Sequence, residues 1–257
     1  MRLACLDHGF VAPAPEAASP TCPTCLEPLY DLDVQTALSG PPLPVGNTVL
    51  TGAPFLFAVV IVVAHLFTSP ALILRFGLLP SEVRAGRGLP TLLTHVFLHA
   101  SWLHVLGNAL FLYLFGKRVG LRLGRAWPVV LIVASALGGG LAHALLTGAP
   151  TRFAIGASGV VYGMIGAGLA LYPRYAFVTI DDEGAVVVRS HWPRTVVFVA
   201  IYVALDVLFG RNVAVLAHLG GLVAGFLVGL PLRAVPPTAI WTAMAERDAK
   251  AVAAMEP

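Results

Sequence analysis

Six long apolar segments dominate this chain of 257 residues. They lie near residues 48–67, 101–117, 126–147, 157–173, 193–209 and 213–232. A helix needs about 20 predominantly apolar residues to cross a hydrocarbon core of roughly 30 Å. Charged residues make up 11% of the chain, whereas a soluble domain has roughly 25%. Because lipid tolerates neither open sheet edges nor unpaired backbone groups, these segments predict an all-α membrane protein with six spans.

The distribution of basic residues predicts how these spans are oriented, because cytoplasmic loops are enriched in Lys and Arg. The first 45 residues contain acidic residues and prolines but no apolar run, so we expect no signal peptide and a cytoplasmic amino terminus. Six spans then place both termini inside. Eleven of the sixteen basic residues fall on the cytoplasmic side: Arg2, Lys117, Arg118, Arg122, Arg125, Arg174, Arg189, Arg194, Arg233, Arg247 and Lys250. Because these basic residues are scattered and form no patch, we expect no nucleic-acid partner. The apolar spans place the protein in the lipid bilayer, and we expect that membrane to be a bacterial inner membrane.

One region between the spans carries a pattern of its own. Residues 176–190, AFVTIDDEGAVVVRS, hold two β-branched runs around an Asp-Glu-Gly turn. This pattern predicts a short cytoplasmic β-hairpin between the fourth and fifth spans. We expect three parts: an amino-terminal module and linker at 1–40, a six-helix core at 41–233 and a cytoplasmic tail at 234–257.

All three cysteines of the chain lie within its first 25 residues. Cys5 and His8 are separated by two residues, as are Cys22 and Cys25. Two such pairs can supply the four ligands of a tetrahedral zinc ion. A disulfide would leave one cysteine over in a reducing compartment. The pattern predicts a ribbon-like knuckle with a structural zinc ion; the alternative is a set of unbound thiols in a floppy tail.

Polar side chains inside a bilayer are costly and usually have a function. Three helices carry them here: His104 with Asn108, then Ser158, then His218. Counting from His104, Ser158 and His218 to the basic residue at the cytoplasmic end of each helix gives thirteen, sixteen and fifteen residues. At about 1.5 Å per residue, these groups lie about 20, 24 and 22 Å above the inner boundary. We therefore expect one shared polar site beneath the outer face, open to the outside.

The stretch IGASGVVYGMIGA, residues 155–167, indicates what this site does. Ser158 is predicted to begin a helix inside the membrane, with Gly156 allowing the tight turn before it. There its hydroxyl would lie beside free backbone amides at the positive end of the helix dipole. His218 is at the right depth to act as the base that activates this serine. Tyr162, one turn below, would stack on the imidazole.

His104 and Asn108 are spaced i, i+4 and therefore face the same way. As donors they can complete an oxyanion site for a serine that attacks a carbonyl group. Close packing would bring the groups together, because small residues repeat every four positions on two helices. These residues are Gly159, Gly163 and Ala167 on one helix and Gly221, Gly225 and Gly229 on the other.

Three stretches carry a family resemblance: FLHASWLHVLGNALFLYLFG at 97–116, GASGVVYGMIGA at 156–167 and AHLGGLVAGFLVG at 217–229. Together, in this order, they resemble the rhomboid family of intramembrane serine proteases. The resemblance implies a six-helix rhomboid-like bundle that cleaves single-pass membrane proteins in or near their transmembrane segments.

Carried over to this chain, the resemblance makes Ser158 the nucleophile and His218 its base, in a dyad without an acidic third member. His104 and Asn108 become the oxyanion side chains. Tyr162 orients His218, and with Gly156 it is expected to line the substrate site. No cofactor is expected for catalysis. Many members carry Trp-Arg in the first loop, where this chain has Pro90 and Thr91.

Two other functions fit parts of the pattern. A small transporter can use buried histidines as a proton relay, but the sequence shows no internal repeat and no acidic residue in the cluster. A catalytically silent rhomboid-like protein would bind membrane proteins without cutting them. Such proteins usually lack the serine or the histidine, and this chain keeps both.

Overall fold

The computed structural model describes a helical core and several short strands. The described residues are 2–4, 11–13, 30–31, 52–172, 176–180, 186–190, 196–197, 200–201, 215–243 and 245–246. The chain divides into two compact units. One unit comprises residues 1–43, 174–191 and 239–257, and the other comprises 44–173 and 192–238. The three-part division predicted from the sequence stays a prediction.

The first unit contains five short strands. They are β1 (Arg2–Ala4), β2 (Val11–Pro13), β3 (Tyr30–Asp31), β4 (Ala176–Ile180) and β5 (Val186–Ser190). Strand β1 lies between β2 and β3, and both pairings are antiparallel. Strands β4 and β5 also pair antiparallel. The turn between β4 and β5 and the predicted zinc ligands, Cys5, His8, Cys22 and Cys25, lie outside the described residues.

The second unit is helical. Its α-helices are α1 (Ala53–His65), α2 (Pro70–Phe76), α3 (Pro80–Arg84), α4 (Thr91–Thr94), α5 (Trp102–Leu123), α6 (Trp127–Leu146), α7 (Ser158–Leu171) and α8 (Val215–Gly229). Short 3-10 helices, His95–Phe97 and Pro231–Ala234, follow α4 and α8. Five of the six predicted spans thus coincide with observed helices, and the fifth, 193–209, lies mostly outside the described residues.

Helix α7 forms the centre of this unit. Twelve of its fourteen residues are buried. By contrast, α5 and α6 expose many large apolar side chains, including Leu103, Leu110, Val129 and Leu145. An apolar surface of this extent suits contact with lipid rather than water. Glycine and alanine recur along α7 because α6 and α8 approach it closely.

Membrane-spanning length is met by two of the described helices. These are α6 and the stretch Val215–Ala234, which joins α8 to the 3-10 turn after it. The pair Thr91–Phe97 and Trp102–Leu123 also passes as a unit but is bent by 101°. Helices α1 and α7 are apolar but shorter. The six-span count remains a prediction.

The observed end of α5 differs from the predicted one. The sequence placed the inner end of this helix at Lys117, yet the helix continues to Leu123. Lys and Arg are good helix formers, so a charged pair need not end a helix. Termination comes instead at Gly124, whose φ of 82° lies in the region that favours glycine. The charged residues at 117–118 therefore did not locate the end of this helix.

Candidate active site

The turn before α7 is shaped by one glycine. Gly156 has a φ of 117°, which L side chains rarely adopt. A Cβ at this position would lie 2.8 Å from the His104 ring and 3.7 Å from Asn108 Nδ2. Both the backbone conformation and the close approach therefore require glycine here. The turn delivers Ser158 to the first position of α7.

Ser158 and His218 are in direct contact. The distance from Ser158 Oγ to His218 Nε2 is 2.7 Å. The His218 side chain is buried, and the Tyr162 ring stacks on its imidazole with centroids 4.6 Å apart and planes within 9°. Stacking of this kind fixes the plane of the imidazole while leaving Nε2 directed at the serine. In residues 52–172 and 215–243 the only carboxylate belongs to Glu82, which pairs with Arg87.

Backbone contact between α7 and α8 brings the pair together. A Cβ added to Gly221 would overlap the Gly159 carbonyl, and one added to Gly225 would lie 2.7 Å from the Gly163 Cα. Helices come this close only where both faces lack side chains. The predicted repeats therefore do form the α7–α8 contact.

A second layer of small residues lies on α6. A Cβ on Gly139 would approach the Ala217 carbonyl to 2.6 Å, one residue before His218. Gly138 packs in the same way against Ala224. Helix α8 is thus enclosed between α7 and α6. The sequence signal for this contact was the run Gly138-Gly139-Gly140. A glycine run does not show which helix will pack against it.

His104 and Asn108 lie beside Gly156. They belong to α5, whose first turn is capped by the Ser101 hydroxyl accepting from the His104 amide at 3.2 Å. Asn108 is buried, and its Nδ2 has no hydrogen-bond partner among the residues that the structure describes. A buried unpaired donor is costly unless a ligand uses it.

Two histidines that sequence reasoning passed over hold the turn itself. The Gly156 amide donates to the His95 carbonyl at 3.0 Å. The Ala157 amide donates to His99 Nε2 at 3.2 Å. The next bond within the helix runs from the Val160 amide to the Ala157 carbonyl. The Ser158 amide is therefore the first amide of α7 placed to receive a developing negative charge.

The loop segment 66–101 is fastened to the strand-like stretch that leads into this turn. Leu78 and Ala154 exchange two backbone hydrogen bonds, and the Ser81 amide donates to the Pro150 carbonyl. Arg84 adds an anchor, because its Nε donates to the Ala144 carbonyl at 2.7 Å and its Nη2 to the Thr147 carbonyl at 2.5 Å. These carbonyls lie at the end of α6, where the last carbonyl groups have no hydrogen-bond donor within the helix.

Pro90 and Thr91 stand where the family resemblance led us to expect Trp-Arg; Pro90 is exposed and Thr91 is partly buried. Pro90 precedes the first residue of α4, and the Thr91 carbonyl accepts from His95 Nδ1 at 2.8 Å. The Thr94 hydroxyl donates to the Phe76 carbonyl at 2.7 Å. Both bonds join residues of the loop segment 66–101 to one another.

Comparison with known protein families identifies the family of this sequence. The family model described as the rhomboid domain matches residues 87–235, which is more than half of the chain. The chain belongs to the rhomboid family. This rhomboid is an integral membrane protein, and the matched region contains each of the residues from His95 to His218 described above.

Similar proteins include plant and bacterial members of the family. RHOMBOID-like protein 5 of Arabidopsis thaliana is 31% identical over 142 residues, which cover 55% of this chain and 43% of that protein. Rhomboid protease GlpG of Yersinia pestis is 33% identical over 139 residues, covering 52% of this chain and 45% of that protein. This rhomboid thus spans less than half the length of these relatives.

Metal binding was predicted only at Cys5, His8, Cys22 and Cys25. Within the described part of this rhomboid, no group of three or more His, Cys, Asp or Glu side chains is arranged to hold a metal ion. The His65, His99 and His104 rings contact one another edge to face, with His99 in the middle. The knuckle stays a prediction.

Proposed function

We propose that this rhomboid is an intramembrane serine endopeptidase that uses Ser158 and His218 as its catalytic dyad. The observation that carries the proposal is the 2.7 Å contact between Ser158 Oγ and His218 Nε2. A serine becomes a nucleophile when a base within hydrogen-bond reach accepts its proton. The Tyr162 ring supplies the orientation that a carboxylate gives in a triad. One relative's name, Rhomboid protease GlpG, points in the same direction.

In the first half of the reaction, Ser158 Oγ bonds to the scissile carbonyl carbon as its proton passes to His218 Nε2. Collapse of the tetrahedral intermediate breaks the C–N bond, and His218 returns the proton to the leaving amine. An acyl ester remains on Ser158. In the second half, water attacks the ester carbon while His218 accepts a proton from it; the C–Oγ bond then breaks, the new carboxyl terminus leaves, and His218 returns the proton to Ser158 Oγ. No cofactor takes part in these steps.

The oxyanion of each intermediate would be held by groups gathered around Gly156. The amides of Gly156 and Ala157 already donate to the His95 carbonyl and the His99 ring. The Ser158 amide is the next along the chain and is the one left to bind the oxyanion. Asn108 Nδ2 offers a second donor, and the His104 ring lies beside the same turn. Donors fixed before the charge develops need no reorganisation, which makes them effective. Gly156 keeps the space for the substrate carbonyl.

The proposed substrates are single-pass membrane proteins cut in or near their transmembrane segments. Exposed apolar surface on α5 and α6 supports a core immersed in lipid, where such a segment would arrive. We propose six spans, cytoplasmic termini and a site that opens outward. The zinc knuckle formed by Cys5, His8, Cys22 and Cys25, the cytoplasmic hairpin at 176–190 and the domain boundaries belong to the same proposal.

A serine-directed fluorophosphonate tests the dyad. Ser158 Oγ should bond to phosphorus and release fluoride, and mass spectrometry of peptides should locate the adduct on Ser158. The full chain in detergent should also cleave a transmembrane substrate. Ser158→Ala should take no label, and His218→Ala should slow cleavage on the order of 10⁴-fold or more.

Ser81→Ala is the matched control, because Ser81 is another partly buried serine of the same unit and lies outside the dyad. It should label at the wild-type rate. A silent binder or a transporter would leave the wild-type serine unlabelled. Appreciable cleavage by purified Ser158→Ala would show that the nucleophile lies elsewhere.

A further inference from the structure

Helices α7 and α8 run parallel, so their matching ends face each other. Gly159 meets Gly221, Gly163 meets Gly225, and Gly229 lies against Ala167 and Ala170. The contact therefore repeats every four residues along both helices. The serine and histidine stand at one end of this pair, and Arg233 stands at the other.

A repeating contact of small residues leaves its own register open. Sliding one helix by four residues, about 6 Å, would again place small residues opposite small residues. The packed surface would be largely restored, but Ser158 and His218 would move apart by the same distance. A directional contact is needed to select the register in which the two side chains meet.

Arg233 makes such a contact. It continues the spacing of Gly221, Gly225 and Gly229, and its Nε donates to the Ala170 carbonyl at 2.6 Å. Ala170 lies in the last turn of α7, where carbonyls lack partners within the helix and the dipole favours a cation. A hydrogen bond at this distance is directional, so it selects one axial position.

The backbone of Arg233 is fixed in turn by α5. Arg122, itself buried, donates from Nη2 to the Arg233 carbonyl at 3.2 Å and from Nη1 to the Val235 carbonyl at 2.9 Å. Arg233 therefore extends from a held position to the end of the serine helix. It does not swing freely on the surface.

We propose that Arg233 is a positioning residue that sets the register of α7 against α8 and thereby aligns Ser158 with His218. The inference rests on the proposed function. Its effect reaches the dyad along two stiff helices in continuous contact, from the far end of each. Arg233 touches neither substrate nor dyad.

The test measures the rate and the end-point of Ser158 labelling by a fluorophosphonate in the full chain. Arg233→Met keeps the length of the side chain but removes the donor. A misplacement of reacting groups by about 1 Å can slow a reaction roughly 10²-fold. The labelling rate, and kcat for cleavage of a transmembrane substrate, should therefore fall by roughly 10- to 100-fold while KM stays unchanged. The labelled fraction at completion should equal that of the wild type. Arg233→Lys, which still donates to a carbonyl, should recover most of the rate.

Arg125→Met is the matched control, since Arg125 is an exposed arginine just beyond α5. It should leave both rate and end-point unchanged. If Arg233→Met does not fold, Arg233→Gln gives a second loss variant. Its labelling rate should lie between those of Arg233→Met and Arg233→Lys. An unchanged rate in the loss variants overturns the inference. So does a lower end-point with an unchanged rate, which would mark a role in folding alone. A wild-type chain that takes no label removes the proposed function itself.

Discussion

Helices α7 and α8 meet through glycines, whereas the loop segment 66–101 reaches the start of α7 through hydrogen bonds. On the α8 side, Gly221 and Gly225 place backbone against backbone. On the loop side, the His95 carbonyl and the His99 ring bind the amides of Gly156 and Ala157. The two regions hold the same serine by different physical means.

The difference separates two requirements of a serine nucleophile. Close packing sets how near the base can come, because the smallest side chains allow the shortest distance between helices. Hydrogen bonds to the turn set which amides remain free and where they point. If this division is correct, changes on the α8 side should weaken proton transfer, and changes on the loop and α5 side should weaken stabilisation of the oxyanion.

Among the changes that test this division, the largest effect is expected from Asn108, the proposed oxyanion donor on α5. Removing one such donor typically costs roughly 10²–10³ in kcat. Asn108→Ala should therefore reduce kcat by that factor and leave KM almost unchanged, since the interaction forms only in the transition state. Steady-state cleavage of a transmembrane substrate measures both constants. A loss confined to KM would mean that Asn108 binds substrate instead.

The next effect tests the glycine contact. In Gly225→Ala the new Cβ would overlap the Gly163 carbonyl, so α7 and α8 must separate. A shift of about 1 Å predicts roughly a 10²-fold loss of cleavage, and overpacking predicts a loss of about 1–3 kcal/mol in stability. Thermal unfolding and kcat/KM provide the measurements.

Gly120→Ala is the control for this change, because a Cβ there meets nothing within 4 Å. It should be neutral, or stabilise the protein by up to about 1 kcal/mol through helix propensity. Equal behaviour of the two alanine variants would argue that the contact with α7 has no part in activity.

The smallest effect is expected from the turn. His99→Phe keeps a ring but cannot accept from the Ala157 amide, which would leave a buried donor unpaired at a cost of about 1–3 kcal/mol. We expect lower thermal stability and roughly tenfold slower cleavage, the kinetic equivalent of about 1.4 kcal/mol. His99→Gln, which offers an oxygen acceptor, should restore part of both. If Phe and Gln behave alike, the ring acts through packing.

Much of this arrangement was predictable because its signals are local. A serine two residues after a glycine at the start of a short apolar helix predicted a nucleophile, which stays a prediction, and the four-residue repeats predicted which helix faces approach. The Gly159–Gly221 contact and the Tyr162–His218 stack follow those expectations. The predicted end of α5 at Lys117 was wrong: the helix continues to Leu123, because lysine and arginine do not end a helix.

Other features had no local signal. His95 and His99 lie in a stretch of mixed polarity, and His95 contributes its carbonyl, a group that every residue has. Arg84 and Arg233 look like ordinary basic residues, yet each binds carbonyls at the end of a helix distant in sequence. Such contacts depend on where a helix ends in space, which residue type and spacing do not encode.

The sequence by itself determined the helices, the polar residues among them and the prediction that Ser158 and His218 act together, because hydrophobic length and side-chain type are properties of the chain. Only the tertiary structure decided which amides stay free beside Ser158, which helices enclose α8 and which register joins α7 to α8. Those features arise from backbone groups that all residues share. Their partners are chosen by three-dimensional proximity alone.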